Sequence, residues 1–225
     1  MNKKNVRLDN RGSALVSVLV VTVFISILAT TMLYVSAQNY QMKYTDYQNK
    51  QSFYGAEKAL DSLKALLVVD VQEAYEEAYK EVSKNFLIKS ADQRKECYQQ
   101  TYLDELEKIW QKRFADAGND PVKMVQDFMI AGGVEEDTAK RIYSVGGYAV
   151  VTTSSSTSAT GKQFVINGVR AKYTSGNYTT FLYTDIGLAL PALDVTDPGT
   201  TVSPGLIDLT ECVVYMNWRR ADYEE

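Results

Sequence analysis

The side chains that usually carry catalytic chemistry are sparse in this chain of 225 residues. It contains no histidine, which excludes histidine-activated nucleophiles and histidine metal ligands. Acidic pairs such as Glu76-Glu77 and Glu135-Glu136 stand in polar surroundings, where carboxylates normally face water. No glycine-rich phosphate loop or nucleotide-binding fingerprint occurs. We therefore expect a protein that is not an enzyme, with no catalytic residues and no cofactor.

Two further pairs of side chains could form sites. Asp194 and Asp197 offer carboxylate oxygens for calcium, but their spacing fits no EF-hand and a capped turn explains them more simply. Cys97 and Cys212 could form a disulfide in an oxidising compartment, or remain two separate thiols buried as small apolar groups. The sequence leaves the disulfide open and predicts no other metal site.

Charge distinguishes the first twelve residues from the rest of the chain. Residues 1–12 contain four basic side chains and one acidic one, whereas the remainder contains 20 basic and 27 acidic ones. An acidic surface does not favour phosphate binding, so we expect no nucleic-acid partner.

A long apolar run follows this basic segment directly. Residues 13–35 contain no charged side chain, and ~20 apolar residues suffice for a helix to cross a bilayer. Because basic residues flank membrane helices on the cytoplasmic side, we expect a single-pass protein of the cytoplasmic membrane, with its N-terminus inside the cell and its globular part outside. Arg11 and Gly12 stand immediately before the run. A cleaved secretory signal, with its cleavage site ending at Ala37, is one alternative, but such signals have apolar regions of only ~7–15 residues. A plain uncleaved anchor is the other alternative, and it does not explain the Arg-Gly boundary.

A basic leader that ends in glycine just before an apolar helix resembles the type III prepilin leader of the type IV pilin superfamily. The resemblance implies that a prepilin peptidase cuts between Gly12 and Ser13 and that the new Ser13 amine can be methylated. It also implies that other pilin or pseudopilin subunits, together with the membrane, are the partners. In major pilins the fifth mature residue is a glutamate that pairs with the amine of the subunit assembled before it. Here that position is Ser17. The resemblance then implies a tip or minor subunit, since a tip subunit has no predecessor to pair with an acid; the alternative is that the helix is a plain membrane anchor.

Aromatic and aliphatic residues recur at helical spacing beyond the apolar run, which predicts one helix over residues 13–67 with 13–36 in the membrane. Residues 53–60 resemble the F-Y-x-A-E-x-x-L pattern of PilX-like minor pilins, and ordinary packing of a helix against a globular part would produce the same pattern. The residues predicted to pack this helix are Tyr40, Tyr44, Tyr47, Phe53, Tyr54 and Leu60.

Residues 68–143 read as a helical block. Ser90 and Gln93 have the spacing of a capping box, which predicts a helix start there. Asp120 followed by Pro121 predicts the start of another helix.

Residues 144–225 change to a two-residue period and predict an antiparallel β-sheet domain. Asn167 and Gly168 predict a hairpin turn, because both turn positions favour residues that adopt positive φ. A closing strand near the C-terminus is expected to bury Trp218 in the core.

These observations predict an α+β fold of the pilin type, in which a long N-terminal helix continues into a globular part. The predicted function is that of a minor pilin or pseudopilin. It would initiate or cap a type IV pilus or type II secretion-like filament at the cell surface. The alternative is a single-pass, membrane-anchored extracellular binding domain that joins no filament. A DNA-uptake pseudopilin would require a basic surface, which the sequence does not indicate.

Overall fold

The computed structural model describes residues 11–85, 87–153, 161–191, 208–221 and 223, without the side chains of 11–13, 153 and 161. Its fold is α+β, with a long N-terminal apolar helix and an antiparallel sheet, as the sequence predicts at this level. The chain divides into two compact units, Met1–Gln48 and Asn49–Glu225.

Helix α1 (Arg11–Lys84) has 74 residues and is longer than the predicted helix over residues 13–67. Val71, Tyr75 and Ala78 keep the helical period and are fully buried, so the packed face of the helix continues past residue 67. No proline or glycine occurs in residues 68–84. The beginning of the predicted helical block is therefore the last part of α1.

Local capping signals fix where the following helices begin. The Ser90 hydroxyl accepts a hydrogen bond from the Gln93 amide, and the Gln93 side chain accepts one from the Ser90 amide. The Asp120 carboxylate accepts bonds from two backbone amides of the next helix. Both predicted helix starts are thus confirmed. The helices are α2 (Ala91–Asp116), α3 (Pro121–Ala131) and α4 (Glu136–Ala139).

The strands are β1 (Ile142–Ser144), β2 (Gly147–Thr153), β3 (Gly161–Ser175), β4 (Tyr178–Leu188) and β5 (Val213–Ala221). All paired strands of the sheet are antiparallel. Strand β3 is central, because β4 pairs with one of its edges while β1 and β2 share the other. Strand β5 pairs with β4, and a short 3₁₀ helix (Leu209–Cys212) leads into it.

The prediction of a hairpin turn at Asn167 and Gly168 is wrong, because both residues lie inside the continuous strand β3. Of the two, only Gly168 has a positive φ, +62°, whereas a type I′ turn needs positive φ at both positions. The pairing of β3 with β4 shifts register at this point, between Ile166 and Val169. The dipeptide therefore forms a β-bulge, which bends the strand without reversing it.

One hydrophobic core joins the helices to the sheet within Asn49–Glu225. It includes Leu63 of α1, Trp110 of α2, Met129 of α3 and Phe164 of β3, all with almost no exposed surface. The predicted boundary between a helical block and a β-sheet domain does not divide compact units, because both parts bury their apolar faces against each other.

The expectation that Trp218 packs in this core is also wrong. Its side chain lies on β5 and is 45% exposed. The rings of Trp218 and Phe53 of α1 pack edge to face, with 6.2 Å between ring centroids. The strand exists near its predicted place, but at Trp218 it does not face the middle of the core.

Candidate functional site in the N-terminal helix

The apolar part of α1, within the first unit, is the most distinctive surface of the chain. The helix is long and apolar enough to cross a membrane, and none of its most apolar window is buried in the structure. The hydroxyls of Thr22, Ser26 and Thr31 each donate a hydrogen bond to the carbonyl four residues earlier, at 2.7–2.8 Å. These bonds satisfy the few polar groups of the segment internally, as a lipid environment requires.

The residues that would be processed stand at the beginning of α1. Gly12 and Ser13 have helical backbone, and Ser17 follows one turn later with its side chain exposed. Residues 1–10 of the predicted leader lie outside the described residues. Cleavage between Gly12 and Ser13 therefore stays a prediction that rests on the sequence.

Three of the predicted packing residues are exposed tyrosines in the first unit. Tyr40, Tyr44 and Tyr47 all present most of their side chains to the surroundings. The rings of Tyr40 and Tyr44 are stacked, with 6.4 Å between centroids and 9° between planes. Exposed aromatic side chains on one helix offer a large contact area to another protein surface.

Residues 53–60, the stretch with the pilin-like pattern, pack α1 against the rest of the second unit. Phe53 is half-buried between the Trp218 ring and the Arg220 guanidinium, which lies 5.6 Å from the Phe53 centroid. Leu60 is fully buried in the core, whereas Tyr54 is exposed. The helix-packing residues thus divide into an internal pair, Phe53 and Leu60, and exposed tyrosines.

Gly55 allows a close approach between α1 and β3 that the sequence analysis missed. A Cβ atom at this position would lie 2.0 Å from Cδ1 of Tyr173, so any larger residue would displace that ring. Arg141 donates a hydrogen bond to the Gly55 carbonyl at 2.8 Å, and its guanidinium lies 4.2 Å from the Tyr173 centroid. The only sequence signal was a glycine in the middle of a long helical pattern.

Asp185 connects two irregular positions of the sheet, and this link was not predicted either. Its carboxylate accepts hydrogen bonds from the Gly168 amide and from Nδ2 of Asn217, both at 2.7 Å. Asn217 has φ of 53°, and the pairing of β4 with β5 shifts register close to it. The carboxylate therefore holds the bulge in β3 and the irregular part of β5 together.

Both cysteines are free thiols in the structure. The Cys97 sulfur accepts a hydrogen bond from Nζ of Lys89 at 2.9 Å. Cys212 is buried, and burial, followed by the nearby Asp208 and Glu211 carboxylates, raises the pKa of its thiol. The two thiols are separate in the structure, and Cys97 is only partly buried. The disulfide stays a prediction that rests on the sequence.

The suggested calcium ligands Asp194 and Asp197 lie outside the described residues. Asp208, which follows them, caps the 3₁₀ helix, since its carboxylate accepts bonds from the amide and hydroxyl of Thr210. These hydrogen bonds lower the pKa of Asp208. Among the described residues, no group of three or more acidic or cysteine side chains is placed to hold a metal ion.

Comparison of the chain with models of known families, with curated proteins and with solved structures gave no match.

Proposed function

We propose that this chain is a minor pilin or pseudopilin, a membrane-anchored subunit that initiates or caps a filament of the type IV pilus or type II secretion kind. The observation that carries the proposal is the continuity of α1. A single helix contains the exposed apolar segment of the first unit and, from Asn49 onward, packs into the core of the second. The Arg11-Gly12 boundary before the apolar segment adds the prepilin-like processing site.

Burial of apolar surface in lipid would hold the protein in the cytoplasmic membrane. The basic residues before Gly12 would keep the N-terminus on the cytoplasmic side, and the acidic second unit would lie outside. In a filament, the same apolar helix would leave the lipid and pack against the helices of other subunits. The exposed rings of Tyr40, Tyr44 and Tyr47 would extend this contact beyond the apolar segment.

Ser17 supports a position at the start of the filament. A carboxylate at this depth in lipid is costly unless a positive charge pairs with it. A subunit with no predecessor has no amine to offer such a carboxylate, so a neutral residue suits the position. The amine of Ser13 would still be able to receive the glutamate of the next subunit.

A membrane-anchored binding domain that joins no filament remains the second candidate. The observation that favours it is the internal role of residues 53–60. Phe53 packs against Trp218, and Leu60 packs in the core, so the pilin-like pattern has a use within this chain alone. The two candidates share the membrane anchor and differ in processing and in assembly.

N-terminal sequencing of the membrane-extracted protein tests the proposal. We expect the mature chain to begin at Ser13, because the small Gly12 precedes the apolar run and leaves the scissile bond accessible. A start at Gln38 would indicate an ordinary signal peptidase, and an intact Met1 would indicate a plain anchor. Either result would contradict the proposed processing.

A variant pair makes this test specific. Gly12→Lys should abolish cleavage, because a long charged side chain replaces the small one at the scissile bond. Asn10→Lys adds the same charge two residues earlier and should leave cleavage intact. If both variants were cut as efficiently as the natural chain, the Gly12–Ser13 bond would not be the processing site.

A further inference from the structure

The second unit has an open groove between α1, α2 and α3 that the proposed function does not use. It encloses about 500 Å³, a volume typical of sites that accept a few side chains or a small ligand. Its apolar surface comes from Leu66 and Val69 of α1, Met124 and Phe128 of α3, and Ala117 after α2. Val69 is more than half exposed and so available for contact.

The border of this groove is acidic. Its lining residues include four carboxylates but only one guanidinium, that of Arg113. Arg113 is already neutralised, since it forms a two-pronged ion pair with the buried carboxylate of Asp70. Glu73, Asp116 and Asp127 are left as exposed negative charges around an apolar floor. The groove therefore suits an occupant with apolar side chains beside positive charges.

The same chain presents such a surface in the turn between α1 and α2. Leu87 is 98% exposed and Ile88 is 83% exposed, an unusual position for two neighbouring aliphatic side chains. Lys84 and Lys89 flank them, and no acidic residue occurs between these two lysines. Lys84 forms an exposed ion pair with Glu81 at 3.4 Å, and Nζ of the partly buried Lys89 donates to the Cys97 sulfur at 2.9 Å, so both cations would have to exchange these contacts for the groove carboxylates. The turn therefore combines an apolar tip with positive charge.

We propose that Leu87 and Ile88 of one copy of this chain dock into the acidic groove of a second copy. The apolar tip would lose its contact with water against Val69 and Phe128. Lys84 and Lys89 would then face the carboxylates at the border of the groove. A few buried anchor residues normally dominate such an interface, so the two aliphatic side chains contribute most of the affinity and the charges contribute orientation.

This inference goes beyond the proposed function, because the contact lies within Asn49–Glu225 and requires neither leader cleavage nor a filament. In a filament, it would join copies of this subunit to each other in addition to the contacts of α1. The number of copies joined in this way would still be small in comparison with the number of main subunits. The contact can be tested independently of processing and of filament formation.

Photo-crosslinking of the full-length chain in membranes tests the contact. Leu87→p-benzoylphenylalanine should give a crosslinked dimer on irradiation, with the crosslink mapped by mass spectrometry to the groove near Val69 or Phe128. Val214→p-benzoylphenylalanine, on the exposed part of β5, is the matched control and should give no such dimer. Absence of the dimer, a crosslink to another protein or lipid, or a crosslink to a different face of the second copy would overturn the proposal.

Charge reversal adds a test of orientation, scored as dimer yield at position 87. The pair Glu73→Lys and Asp127→Lys should lower the yield a few-fold, because exposed ion pairs are individually weak. The pair Lys84→Glu and Lys89→Glu should lower it similarly, and a chain with all four changes should recover it. If the chain with all four substitutions gave less dimer than either double variant, the proposed pairing of charges would be contradicted. When p-benzoylphenylalanine replaces Ile88 instead, the additional substitution Leu87→Asp should remove the crosslinked dimer altogether.

Discussion

The two tryptophans illustrate how differently similar residues contribute at the residue scale. The Trp110 ring is buried among Phe128, Tyr148 and Phe164, with centroid distances of 5.9–6.3 Å. Trp218 forms an edge-to-face pair with Phe53 and remains nearly half exposed. The first ring fills the core that α2 shares with the sheet, whereas the second covers the packed part of α1 from outside.

Alanine substitutions of these two residues should therefore differ in their effect on stability. Trp110→Ala should lower the free energy of unfolding by about 3–5 kcal/mol, because it leaves a large cavity. Trp218→Ala should cost only about 0.5–1.5 kcal/mol, the scale of an edge-to-face aromatic pair. Denaturant unfolding of the detergent-solubilised chain, followed by circular dichroism, measures both values. Equal losses would contradict the assignment of Trp110 as a core residue and Trp218 as a peripheral one.

At the element scale, two buried phenols connect α2 to the segment that follows β4. Tyr98 donates a hydrogen bond to the Pro191 carbonyl at 3.1 Å, and Tyr102 donates one to the Ala189 carbonyl at 3.0 Å. Burial raises the pKa of both tyrosines, and the neighbouring Cys212 adds to the shift. Both phenols must therefore remain protonated in the folded state.

This arrangement predicts a loss of stability at alkaline pH. An unfolded tyrosine has a pKa of about 10, and the folded pKa values lie above it, so the stabilisation is complete below that pH and is lost as the pH rises further. We expect unfolding and tyrosinate absorbance to appear together above about pH 10. The double variant Tyr98→Phe and Tyr102→Phe should show a shallower pH dependence. The control variant Tyr178→Phe changes an exposed residue at the start of β4 and should keep the pH dependence of the natural chain. Equal slopes of stability against pH for the natural chain, the double variant and the control would contradict this account.

The elements that could be predicted from the sequence are those with local causes. The starts of α2 and α3 follow from side chains within three residues of each helix, at Ser90 and Asp120. Asn167 and Gly168 were misassigned because the same dipeptide suits a turn or a bulge, and the choice depends on pairing with β4, which is distant in sequence. The close contact of Gly55 with Tyr173 was missed for the same reason.

At the scale of the whole molecule, the chain combines a membrane-compatible helix segment in the first unit with a compact α+β second unit. The proposed role assigns anchoring and subunit contacts to the first and the exposed surface of the filament to the second. In that role, Ser17 in place of an acidic residue would suit a subunit at the beginning of the filament instead of its shaft. Such a subunit would be needed in few copies, but filaments would not start without it.

The most direct test of this role compares filaments from cells with and without this chain. Electron microscopy should show that deletion lowers the number of filaments much more than their length. Quantitative mass spectrometry of sheared filaments from the parent cells should find the chain present, at far fewer copies than the main subunit. Normal filaments after deletion, together with the absence of the chain from the sheared fraction, would contradict the proposal and favour the anchored binding domain.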